Sequence, residues 1–121
     1  MASYLTIRSD EACSRWSATD LLVAFLRGLS ELRQTGPLAF EGAPGAPWVA
    51  VILAASDGGS YASDGSWTQR VNVVELVCSD AGDPAYYDAL AAKIAAFLGY
   101  EAVEEASFRR VWPPEDTPHR E

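Results

Sequence analysis

The chain has 121 residues, 49% of them hydrophobic and 11% aromatic, which is enough apolar chain for one compact core without a metal or disulfide and argues against global disorder. Seventeen acidic residues stand against 9 basic ones for a net charge of −8. That average field repels phosphate backbones and anionic membrane surfaces, so neither a nucleic-acid nor a membrane partner is expected.

The first apolar run, Tyr4-Leu5-Thr6-Ile7-Arg8, is short and partly alternating, and it reads as a strand. Ser17 then stands three residues before Asp20, a pattern for a hydroxyl N-cap, and Leu21, Leu22, Phe25, Leu26, Leu29 and Leu32 recur at helical spacing. A first helix is therefore expected from about Ala18 to about Arg33, with Gly28 inside it and Thr35-Gly36-Pro37 ending it. Residues 38–47, LAFEGAPGAP, start as a short strand and become irregular.

Trp48 to Ala55, WVAVILAA, is continuously apolar, as expected of a strand covered on both faces or central in a sheet with helices on one side. The run Val71 to Cys78 is the second strong strand, and the two read as a hairpin with an unusually long tip. Asp83-Pro84 is a good helix start, Tyr87, Leu90, Ala91, Ile94, Phe97 and Leu98 make an apolar stripe, and Gly99 is a left-handed stop. Tyr100 to Glu104 would make a final edge strand, and Phe108 to Trp112 a further extended piece.

The order strand, helix, strand, strand, helix, strand resembles the ferredoxin-like, split βαβ architecture, an α+β two-layer sandwich whose antiparallel sheet carries two helices on one face. The resemblance is one of element order, and that fold hosts many functions. Residues 1–112 are expected to form this single domain and 113–121 a mobile, proline-rich, charged tail. The N-terminus lacks the basic start and apolar stretch of a signal peptide, so a cytoplasmic location with Cys13 and Cys78 as reduced thiols is expected. One lysine, Lys93, against eight arginines suggests a GC-rich coding background.

Known chemistries are poorly supplied. The one histidine is His119, three residues from the end, so histidine-based acid–base or nucleophilic catalysis is not expected. Neither GxSxG nor GxxxxGK[ST] occurs. The acid pairs Asp10 with Glu11, Asp80 with Asp83, and Glu104 with Glu105 are the carboxylate candidates, and capping or solvated surface explains them more simply. Asp57 and Asp64 lie in Gly/Ser-rich sequence, but starting from either one the calcium-hand positions fail: from Asp64 the glycine position is Gln69 and the terminal glutamate falls on Glu75, inside a strand. No metal, no cofactor and no enzyme activity are expected.

What remains is SDGGSYASDGSW, residues 56–67, an acidic hairpin tip in which small polar residues surround Tyr61 and Trp67. Rings among small polar residues suit protein contacts, because they bury much area for little lost side-chain entropy. Asp57, Tyr61, Asp64, Trp67 and Trp48 are accordingly the expected partner-binding residues, unless Trp67 folds back to cap the core. Arg109, Arg110 and Trp112 form a second candidate surface, or else an edge strand whose arginines pair with Glu101, Glu104 or Glu105. The expected function is a non-enzymatic inhibitor, immunity-type protein or adaptor directed at a basic protein. The alternative is a small-molecule sensor or regulatory domain, with edge-strand pairing across a two-fold axis giving a homodimer.

Overall fold

The computed structural model describes residues 3–56 and 67–114. Among these the chain is α+β, with a seven-stranded antiparallel sheet and two helices. The strands are β1 (Ser3–Arg8), β2 (Ser17–Ala18), β3 (Leu32–Gly36), β4 (Ala39–Gly42), β5 (Val49–Ala54), β6 (Arg70–Val71), β7 (Val73–Cys78), β8 (Glu101–Glu104) and β9 (Arg109–Trp112); the helices are α1 (Thr19–Arg27) and α2 (Pro84–Leu98). In the large sheet the order is β3-β4-β5-β7-β1-β8-β9, while β2 and β6 form a separate two-stranded ladder.

Alternation along the strands decides which face each residue occupies, since neighbouring residues point to opposite sides and paired residues to the same side. Leu5 pairs with Leu76 and Leu76 with Val51; Ile7 pairs with Val74 and Val74 with Leu53. These residues are buried in one cluster with Leu22, Val23 and Leu26 of α1 and Leu90, Ala91 and Ile94 of α2. Both helices therefore lie on the same side of the sheet. They touch through the Phe25 and Phe97 rings, stacked at 4.1 Å.

Helix α2 forms as its sequence signals require. Asp83 caps it by accepting from the Ala85 amide at 3.0 Å, Pro84 occupies the first turn, and Gly99 adopts φ +70°. The β5–β7 hairpin also forms, with Val49 opposite Cys78 and Ala54 opposite Val73.

The first helix is shorter than its periodicity predicts. It ends at Arg27, and Gly28 is its C-cap instead of an interior residue. The apolar spacing runs on because the Leu29 amide donates to Leu26 and the Leu32 amide to Leu29, both three-residue turns. Those turns keep the leucines facing the core while the chain leaves the helix and enters the β3–β4 hairpin. Nor is Ser17 the cap: Ala18 holds that position, and the Ser17 hydroxyl lies 2.6 Å from the Tyr100 hydroxyl. β8 is not an edge either, since β9 pairs outside it. No helix among the described residues is long and apolar enough to cross a membrane.

Candidate functional site

The side of the sheet turned away from the helices carries different residues. Thr6 pairs with Glu75 and with Val103, Glu75 with Ile52, Arg8 with Val73 and Glu101, and Tyr4 with Val77. Among the described residues no helix covers this side, and Tyr4 is exposed while Ile52 and Val77 are half-buried. A recess of about 330 Å³ opens on it, lined by Thr6, Arg8, Glu11, Glu75, Glu105 and Phe108 among others.

The floor of the recess is a carboxyl pair. Glu75 is only 6% exposed, and the Thr6 hydroxyl lies 3.0 Å from its Oε1 while also bonding Glu105. A hydroxyl has one proton to give, so Thr6 shares a single donor between the two carboxyl groups. The Glu105 carboxyl is held below the usual glutamate range, first by the hydrogen bond from Glu75 and further by Thr6 and Arg8, against burial, which pushes it up. Glu105 is accordingly the member of the pair favoured in its charged form. Arg8 is taken up by Glu101 at 2.8 Å.

The pairing of Glu75 with Glu105 was not visible as a pair of adjacent acids. Glu104 and Glu105, neighbours in sequence, part company: Glu104 shares Leu5's side of the sheet and accepts from the Ala106 and Ser107 amides, both at 3.1 Å. The Ser107 hydroxyl, which also bonds Glu104, holds that carboxyl below its ordinary range. The other two candidate pairs are local: Asp10 accepts from Ser14, whose hydroxyl holds its carboxyl low, and Asp83 caps α2. The signal for Glu75 was a single acid inside the apolar run VNVVELVC.

Asn72, in the same run, anchors the place where the long hairpin tip leaves the sheet. It is buried, its Oδ1 accepts from the Ser56 amide at 2.6 Å, and its Nδ2 donates to the carbonyls of Ser56 and Cys13, both at 2.9 Å. Ser56 and Cys13 also line the recess. The root of the tip and the recess thus share one end of the sheet.

Of the expected partner-binding residues, Asp57, Tyr61 and Asp64 lie outside the described residues. Trp67 is 51% exposed and does not cap the core. Close to it in the chain, Arg70 stacks over the Trp16 ring at 4.8 Å, and Trp16 too is exposed. Trp48 is equally exposed but stands before the first residue of β5, roughly 20 Å of strand from Ala54 at about 3.3 Å per residue. Its carbonyl accepts from the Tyr87 hydroxyl at 2.5 Å. The structure therefore does not bring Trp48 together with Trp67.

The second candidate surface also divides. Arg109, Arg110 and Trp112 do form an edge strand; Arg109 makes its ion pair with Asp88 of α2 at 3.3 Å and, standing opposite Glu104, also favours the charged form of that carboxyl. Trp112 packs against the core. Arg110, opposite Val103, lines a second recess with Arg8, Asp10, Glu11, Glu101 and Phe108 on the helix-free side.

Both cysteines are free and buried; burial raises the Cys13 thiol and pushes Cys78 up to about 11, so neither is a thiolate at neutral pH. No group of three metal-ligating side chains occurs among the described residues. No protein-family model matches the sequence, and no curated protein or solved structure is significantly similar to it.

Proposed function

We propose that this chain is a non-enzymatic binding module, an inhibitor, immunity-type protein or adaptor, whose helix-free sheet face receives a basic protein. The observation that carries this reading is the acidic recess on a sheet face without a helical cover, at the end where the residue 56–67 tip is rooted. A partner seated there would lie beside Ser56, where that segment leaves the sheet. Net charge of −8 would steer a basic partner and make association salt-sensitive. Asp57, Tyr61, Asp64 and Trp67 are the proposed tip contacts, and the location proposed is the cytoplasm.

The fold proposed for the central part is the split βαβ arrangement. Its support is the order β5-β7-β1-β8 at the middle of the sheet together with two helices on one side. The β3–β4 hairpin and β9 would then be additions at the two edges.

A second reading, a regulatory domain binding a small cationic molecule, is favoured by the recess volume of about 330 Å³, which lies at the small end of ligand sites. Affinity capture from native cell extract at low and moderate salt separates the two. The first reading predicts that a basic protein is retained by the intact chain, is lost on Tyr61→Ala with Trp67→Ala, and binds again as a purified one-to-one complex. Retention of no protein, with a small molecule co-purifying, would replace it by the second.

A further inference from the structure

Phe108 combines an unfavourable backbone conformation with an exposed ring. It sits at the end of the four-residue turn between β8 and β9 with φ +57°, a left-handed conformation that bulky residues avoid and glycine or asparagine would hold more easily. Nothing in the core compensates for this, since its ring is 80% exposed. Strained non-glycine residues that persist in this way cluster at functional positions.

The ring borders both recesses of the helix-free face. Around them stand five acidic residues, Asp10, Glu11, Glu75, Glu101 and Glu105, against two arginines, Arg8 and Arg110. Arg8 is already paired with Glu101, and Glu105 is held in its charged form. The face is therefore negative beside an exposed ring. That combination suits a planar cation: a guanidinium can stack on the ring while its N–H groups reach carboxylates.

We infer that Phe108 is the anchor that receives an arginine side chain of the basic partner, holding it between its ring and the carboxylates of Glu11 and Glu105. This rests on the proposed binding role of the face and names the group the face selects. Arginine is preferred to lysine, whose compact, strongly hydrated ammonium stacks less well.

The test uses the full chain, an oligo-arginine peptide and an oligo-lysine peptide of equal length, with binding followed by amide chemical shifts. Phe108→Gly relieves the positive φ, so the variant is expected to melt at a higher temperature than the parent while binding oligo-arginine at least tenfold more weakly. Oligo-lysine is expected to bind the parent more weakly than oligo-arginine and to be little affected by the change. If Phe108→Gly binds oligo-arginine like the parent while Glu11→Lys with Glu105→Lys abolishes binding, the anchor assignment falls and the binding role of the face stands. If the parent shows no shifts on β1, β7 or the 105–108 turn with either peptide, both fall.

Discussion

Asn72→Leu is expected to cost about 4 kcal/mol of folding stability, measured by urea unfolding. The side chain is of similar size, so the loss is not one of volume. It comes from three hydrogen bonds, to the Ser56 amide and to the Ser56 and Cys13 carbonyls, all made by a residue that is 1% exposed. Removing one partner from a buried hydrogen bond costs about 1–3 kcal/mol, because the remaining group has lost water without gaining a replacement. The variant should also loosen Ser56 and Cys13 on the recess wall, so amide exchange at those two residues should accelerate more than in α2. A cost below about 1 kcal/mol would mean that water replaces the network freely and that the root of the tip is not held by Asn72.

Phe40→Ala is expected to cost about 4 kcal/mol, within the range for deleting a buried aromatic side chain. Phe40 is 1% exposed in β4, opposite Val51 of β5 and Gln34 of β3, and it belongs to the same cluster as α1 and α2. The size of the loss tests whether the β3–β4 hairpin is an integral part of the core. If the hairpin were a loose appendage, the loss would fall below about 2 kcal/mol, short of any deletion of a fully packed aromatic ring.

These two residues also show where the sequence is readable. α2 could be placed because every local signal agrees: the Asp83 cap, Pro84, the apolar stripe and Gly99 at φ +70°. The β5–β7 hairpin could be placed because both strands are long and apolar. The end of α1 could not, since Leu29 and Leu32 keep the helical spacing while tertiary packing turns the chain at Gly28. Periodicity reports which side of a segment is buried, and successive tight turns bury the same side as a helix would.

The binding face was harder to read for a different reason. Thr6, Glu75 and Glu105 are separated by 69 and 99 residues in the contacts that join them. Only the strand order β7-β1-β8 brings them together. Trp48 was grouped with the tip because it begins the strand leading to it, whereas the length of β5 carries it to the far end. The face also depends on which side the helices leave open, and a continuous apolar run such as WVAVILAA is consistent with cover on one side or two.

The central claim, that a basic protein docks on the helix-free face, is tested most directly by two charge reversals of equal size. Glu11→Lys alters the recess, and Asp20→Lys alters the exposed surface of α1 on the opposite side of the sheet. With the captured partner purified and titrated at fixed salt, Glu11→Lys is predicted to weaken binding at least tenfold, while Asp20→Lys leaves it within about twofold of the parent, as expected for a distant charge screened beyond about 10 Å. Equal loss in both variants would reduce the interaction to net charge alone, and loss in Asp20→Lys only would move the binding surface to the helices.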